Sequence, residues 1–577
     1  VNTIENAYIA IDNTTFNRND IGIDINTTNG IPILNMSTNV KFTCTSALNG
    51  TTNGKSLAGI KTNNFNLSIG SLTGSYIVFD GLQNGIINET TANPTSLIGR
   101  KLEVKNIETD GIYLKGGTLD LDGCKWQNNL TRGATVKLAK NVTITNNEII
   151  YTSTMPAPTT PIYRYGVYIE AYAGKALVNI HNNTYNSQVP PISSNVMVAI
   201  YLKGGNVGEG LKVDISQNNI IAKGTGGVGN IYVDGIFPSD SQINVHGNYF
   251  DSAITSFIVD NGNKYNVKVY NNEFTYTEAT GVRIPIQMRG SSGTNNEVTN
   301  NTINSTVDLF YLKGVILDMF NNLKICSNTI EYNYSNPNSL PSTGLDVYNL
   351  NPGTDFRDNE IYGTDVGVDI YTTSLMGIQT HKGNRWYDGI GGLRSTWHAR
   401  CQSTSGWPSF SKFIVHTPQT VWNGSSYNYF SAYFRENLLP NSVNFFETDL
   451  GGTPAAGCSS SQRIAASSEE ASTDELDIAI ATNFIPIPDD KPAYAWMLKD
   501  FLYKKLKRLP DAVGEDRSFS SFLATERNSA LDKLYNVAKT IENALSADAE
   551  SLTAMELLQT EEREIIQQVV VLNEQIA

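Results

Sequence analysis

Long apolar runs are missing from this chain. Nowhere does it carry the roughly 20 consecutive hydrophobic residues of a membrane-spanning helix, so no such segment is expected. Cysteine is scarce: five in 577 residues make no disulfide framework, and no Cys-x-x-Cys or His–Cys spacing suggests zinc. Charge is thin at 17% of residues, with a net value of -14. A phosphate backbone is met by a basic patch, so nucleic acid is not an expected partner, nor is an anionic membrane surface. There is no nucleotide-binding loop and the five His do not converge. Neither a cofactor nor a metal is expected. An initiator Met, a signal peptide and a sorting tail are absent too, since the chain opens "VNTIENAYIAID", already in a strand pattern. It reads as the processed part of a longer secreted chain, extracellular or at the cell surface.

What is abundant is Gly (47), Tyr (28), Asn and Thr, the composition of β structure with many tight turns. One figure recurs: alternating apolar and polar residues, an Asn pair, then an apolar residue, as in "VTITNNEII", "VNIHNNTYN", "VDISQNNII", "INVHGNYFD" and "VKVYNNEFT". Aligned on the Asn of Asn-x-apolar, the register runs Asn147, Asn183, Asn219, Asn248, Asn272, Asn301, Asn328, Asn359 and Asn384, with Cys124 in the Asn slot of "LDLDGCKW". From Cys124 onward the intervals are 23, 36, 36, 29, 24, 29, 27, 31 and 25 residues. Periods of this size mark a solenoid. The unit is strand-turn-strand without helical periodicity, so the solenoid is expected to be all β. Pro-rich "STMPAPTTPIYRYG" and "SQVPPISSN" read as loops inserted into the longer coils.

Parallel strands of successive coils place equivalent residues about 4.8 Å apart. An Asn at each turn is then within reach of the next coil's Asn, and the apolar residue two places on stacks in the core. The recurring Asn is therefore expected to be a corner device and not a catalytic group. The figure resembles the right-handed parallel β-helix repeat proteins, the pectin-lyase-like superfamily, over about residues 1 to 390. That resemblance implies a right-handed parallel β-helix over 1–392. Terminal coils of solenoids are often atypical, and the first hundred residues blur the Asn register.

After "GNRWYDGIGG" the texture changes. Four of the six Trp lie between Trp386 and Trp422, and "YNYFSAYF" follows. An aromatic-rich β cap over 393–458 is expected, closing the open apolar end. A second reading makes Trp397, Trp407 and Trp422 a platform for surface glycans of another cell, since flat rings stack on sugar faces. Cys401 and Cys458 bracket this segment and are placed to join in an oxidising environment, leaving Cys44, Cys124 and Cys326 as buried or solitary thiols. Residues 459–477, "SSSQRIAASSEEASTDELD", read as a linker. From residue 464 on there are 11 Lys and Arg against 21 Asp and Glu, which gives the tail -10 of the net charge. The region 478–577 is expected to be helical. Pro492 sits in a first turn, Pro510 stops that helix, and Thr553-x-x-Glu556 forms a capping box. Its apolar surface, wide in "IIQQVVVLNEQIA", suits either packing within the chain or association with copies of itself.

Candidate chemistry is sparse. The polygalacturonase set of motifs is absent, and "RIPIQMR", Arg283 to Arg289, resembles the pectate-lyase Arg-x-Pro-x-x-Arg motif with one residue too many. Asp120 and Asp122 share a strand face, Asp369 recurs in "VGVDIY", and His181 and His246 hold comparable places before the Asn turn. No base or partner is evident beside them. No catalytic residue is assigned. The expected role is a non-catalytic scaffold, structural or adhesive, that self-assembles through its helical tail. In texture it is similar to large β-helix surface proteins of Bacteroidota exported by type IX secretion, the grappling-hook type of appendage subunit being one candidate. The alternative is a carbohydrate-active β-helix enzyme, a polysaccharide lyase or glycoside hydrolase, or a glycan-binding module. A groove with clustered carboxylates on one sheet would separate the two.

Overall fold

In the computed structural model the described residues run from Tyr8 to Asp449 with interruptions, among them 153–161, 189–194, 205–209, 223–229, 333–341 and 402–412; side chains are described as far as Arg400. The chain divides into two compact units, Val1–Ala466 and Ser467–Ala577. The division falls inside the stretch read as a linker, and the helical region expected after it lies outside the described residues. Among the described residues there is no helix at all, and none that could cross a membrane.

The first unit is a parallel β-solenoid. Each coil visits three faces in turn, as Lys212–Ser216, Asn219–Ala222 and Ile231–Ile236 do for faces one, two and three. These strands pair in parallel with their counterparts in neighbouring coils. Face two is a sheet of 14 strands. Faces one and three merge into a sheet of 26, because Arg132–Thr145 and Ile162–His181 run through both without a break. Strands alternate buried and exposed residues, the pattern of a sheet with one face on the core.

Inside, like stacks on like. Phe16, Phe42, Phe79, Val104, Trp126 and Ile149 form one continuous column on face two. The Phe rings lie parallel at 4.7 and 4.9 Å. A second column, Ile60, Ile86, Ile112 and Ala134, rises on face three. Beside it runs a row of glycines: Gly59, Gly85, Gly111, Gly133 and Gly166, then again Gly314, Gly344 and Gly367. A Cβ on Gly59 would sit 2.7 Å from the Phe79 ring and 2.9 Å from the Gly85 carbonyl oxygen. The corner between faces two and three is therefore closed by backbone packed directly on side chains. Ala199, Asn230, Ser256 and Pro285 take the slot in the intervening coils.

The corner between faces one and two carries the Asn ladder. Its first residue is left-handed, with φ between 54° and 60° at Asn146, Asn182, Gln217, Gly247, Asn271, Asn300 and Ser327. The second residue turns its amide inward. Asn147 Nδ2 donates to Asn183 Oδ1 at 2.9 Å, and the chain of bonds continues through Asn218, Asn248, Asn272, Asn301, Asn328 and Asn359 to Asn384 at 2.9–3.1 Å. Each Oδ1 also accepts the backbone N–H of the preceding coil's ladder residue, as Asn272 Oδ1 does from Asn248 at 3.1 Å. The expected Asn219 is a correction: Asn218 occupies the ladder, while Asn219 is exposed at the start of the next strand. In "SQNNII" Gln217 supplies the left-handed residue usually given by Asn or Gly, which shifts the pair by one. Cys124 holds the slot ahead of Asn147, and its N–H donates to Asn147 Oδ1 at 2.8 Å. Burial pushes its thiol up to about 12, so it is packing and not a nucleophile. Before Cys124 the same slot is apolar, filled by Val40, Ile77 and Leu102. The blurred register of the first hundred residues is this replacement of amide by hydrocarbon.

The solenoid sheet continues past residue 392. Trp397–Cys401 pairs in parallel with Val366–Ile370, and Phe434–Glu436 pairs with it in turn. In the segment read as a cap, Phe413–His416 lies in parallel with Phe446–Asp449, and Thr420–Trp422 meets Tyr427–Tyr429 antiparallel.

Candidate functional site

Outward-facing residues stack in rows as the core residues do, so chemistry here depends on which groups successive coils bring side by side. The "RIPIQMR" arginines do not meet. Arg283 is fully buried, its guanidinium 5.9 Å from the Tyr276 ring centre, whereas Arg289 is exposed at the other end of the strand. Asp120 and Asp122 do share a face, and each is engaged by a neighbouring coil. Arg100 Nη1 donates to Asp120 at 3.0 Å, and Asn146 Nδ2 donates to Asp122 at 2.9 Å.

One of the two histidines meets a residue that sequence reading passed over. His181, Ser216 and His246 stand in register on face one, in three successive coils. Asp214 reaches His246 Nε2 at 2.8 Å and accepts the Ser216 hydroxyl at 3.1 Å. Burial would raise the Asp214 carboxyl, but the His246 hydrogen bond and charge outweigh it, and the group is held below the usual carboxylate range. The His246 ring lies flat on Tyr270, centroids 4.7 Å apart. Here the serine donates to the aspartate, so the relay of serine to histidine to aspartate is not the one formed.

Face three carries an ionic cluster across three coil boundaries. Asp346 and Asp369 are paired in register, one coil apart, and neither is exposed. Lys313 forms an ion pair with Asp346, and Arg400 Nε donates to Asp369 at 3.1 Å. Tyr348 donates to Asp346 at 3.3 Å and its ring stacks on Tyr371 at 4.3 Å. Burial drives the Asp346 carboxyl above its ordinary range despite the lysine, and the neighbouring Asp369 adds to the rise. The hydrogen bond to Asp369 raises Arg400. Of these residues only Asp369 stood out in the sequence. "GLDVY" and "VGVDIY" are the same figure one coil apart, so their similarity was the available signal.

On the same face Tyr168, Tyr201 and Tyr232 stack at 5.2 Å, with Tyr165 edge-on to the first two. Their hydroxyls donate to Glu170 at 3.1 Å, Asp234 at 2.6 Å and Asp260 at 3.0 Å. Burial and Glu170 together push Tyr168 up to about 12. Tyrosine faces turned on one another along the axis are not open to stack on a sugar.

Among the described residues no group of three or more His, Cys, Asp or Glu side chains is arranged to hold a metal ion. The side chains of Trp397 and Trp422, and all of Trp407, lie outside the described residues. Cys326 is disulfide-bonded and not the solitary thiol expected. Cys44 and Cys124 are buried and free. Cys458 lies outside the described residues, as does the Cys401 side chain. No family model, curated protein or solved structure matches the chain.

Proposed function

We propose that this chain is a structural or adhesive scaffold of an extracellular surface protein or appendage, with no turnover of its own. The observation that carries the reading is where its outer charges go. Opposite charges meet between neighbouring coils along the axis: Asp110 with Arg132, Lys125 with Glu148, Glu170 with Lys137 and Lys203, Lys268 with Glu297, Lys313 with Asp346, and Asp369 with Arg400. Each partly exposed pair contributes about 0–1 kcal/mol. Together they brace coil against coil, which suits a body that resists bending more than one that turns over a substrate. The low basic content, the Asn ladder and the apolar residues of "IIQQVVVLNEQIA" belong to the same reading: a secreted β-helix, similar in texture to those of Bacteroidota surface proteins, associating with copies of itself and meeting glycans of another cell.

The Asp346–Asp369 pair favours a second reading, a carbohydrate-active enzyme, since two carboxylates beside a lysine and an arginine are the parts of an acid–base site. Incubation with pectin, alginate and related acidic glycans, with and without calcium, separates the two. The scaffold reading expects no unsaturated or reducing sugar. Release that disappears in Asp369→Asn would replace it with the enzyme. Self-association through the tail is tested by deleting residues 510–577, which is expected to lower the mass in solution while the far-ultraviolet β signal persists; an unchanged mass would remove the tail from the assembly.

A further inference from the structure

Lys313 is enclosed where other paired lysines are not. In their ion pairs Lys125, Lys137, Lys203 and Lys268 keep 31–43% of their side chains exposed, whereas Lys313 keeps 12%. Its partner Asp346 is wholly buried. Ile316 stands in register on one side of that carboxyl and Asp369 on the other, and both are buried. Lys313 Nζ donates to the Tyr348 hydroxyl at 2.5 Å and lies 5.1 and 5.6 Å from the Tyr348 and Tyr371 ring centres. An amine, the carboxyl it touches and a second carboxylate one coil on are thus held together away from water. Two opposite charges are costly to keep in such a place. Passing one proton from Lys313 to Asp346 removes both, and the burial that raises the Asp346 carboxyl favours that neutral pair.

We infer that Lys313 and Asp346 join in an amide bond that the chain forms on itself, a covalent staple between two neighbouring coils. The neutral Lys313 amine attacks Cγ of the protonated Asp346 carboxyl. Its surplus proton passes to the Asp369 carboxylate and from there to the departing hydroxyl, which leaves as water. The products are one amide and one water. Asp369 ends as it began, and no oxidant or reductant enters. Arg400 Nε donates to Asp369 at 3.1 Å and keeps that carboxylate in position. Tyr348 donates to Asp346 at 3.3 Å and so polarises the carboxyl under attack. The ion pair is the state before closure, and Asp346 titrates only in that state. Closure takes Asp346 out of the acid–base reading, and it depends on neither self-association nor a glycan.

The test is the mass of the full chain, folded at neutral pH for increasing times and then unfolded and reduced. The wild-type chain should come to weigh about 18 Da less than its sequence, the one water lost. A protease digest should then yield a branched peptide that joins Lys313 to Asp346. Lys313→Arg should keep the full mass, and Asp369→Asn should slow the loss roughly a hundredfold. Either variant could fold poorly, so the wild-type mass and its branched peptide decide by themselves. A wild-type chain that keeps its full sequence mass overturns the inference. So does a water loss that persists unchanged in Lys313→Arg, because an aspartate cyclised on its own backbone sheds the same water. Sugar release and the 510–577 deletion read the scaffold proposal separately from this mass.

Discussion

Replacing Asn272 with Leu removes one rung of the ladder, and the structure says what is stranded. Asn272 Oδ1 accepts the backbone N–H of Asn248 at 3.1 Å and its Nδ2 at 2.9 Å; Asn272 Nδ2 donates to Asn301 Oδ1 at 3.0 Å and to the carbonyls of Val245 and Tyr270 at 2.9 and 3.0 Å. Not all of these losses count equally. Asn248 Nδ2 keeps the Ile215 and His246 carbonyls, and Asn301 Oδ1 keeps the Asn272 N–H. The Asn248 backbone N–H has no such reserve. It is left buried and unpaired, at a cost of about 1–3 kcal/mol. With the net value of the remaining bonds the loss is about 3 kcal/mol, on the order of a hundredfold in an opening equilibrium.

Because each coil contacts only its neighbours, the damage should stay local. A single melting temperature would dilute it, so native-state hydrogen exchange is the assay. Gln242–His246, Asn266–Tyr270 and Asn296–Thr299 should exchange faster, and Ala58–Asn63, many coils away, should not. Thr302→Ala, at an exposed position of face two, is the control and should change stability by less than about 0.5 kcal/mol. If Asn272→Leu exchanges like that control, the amides are ornaments on a fold held by its core alone.

Gly59→Ala should destabilise by about 1–3 kcal/mol, because the new methyl meets the Phe79 ring at 2.7 Å and the Gly85 carbonyl at 2.9 Å. Urea unfolding would show it, and a neutral result would mean that the corner can open. For Glu170, burial works to raise the carboxyl, but the hydrogen bonds from Lys203 and Lys137 prevail and hold it below the usual carboxylate range. A folded-state value below the unfolded one stabilises at neutral pH, and that contribution is lost as pH falls through the folded value. Melting followed from pH 7 downward should therefore show Glu170→Gln less stable than the native chain at neutral pH, by no more than about 1 kcal/mol, with the gap closing in acid. A gap that widens in acid would show the pair to be unfavourable. For Asp346 the sign reverses: its raised carboxyl makes stability fall as pH climbs from the ordinary carboxylate range through the raised value, so Asp346→Asn should flatten that fall in the same titration.

Periodicity alone determined the parallel solenoid, the coil boundaries and the corner role of Asn, because a residue that must recur at every turn leaves a mark in one dimension. The glycine row was legible too, in "AGIK", "NGII", "DGIY" and "RYGVYI", although the Asn figure drew attention from it. Register within a corner was not fully legible. In "SQNNII" both Asn can be followed by an apolar residue, and only the left-handed turn at Gln217 places Asn218 inward. The outer faces were decided by tertiary structure. Coils differ in length by their loop insertions, so Asp214 and His246 lie 32 residues apart, Arg132 and Asp110 22, and Lys203 and Glu170 33. No constant spacing announces such pairs. They exist because hydrogen bonding between coils fixes strand against strand, whatever length of loop intervenes.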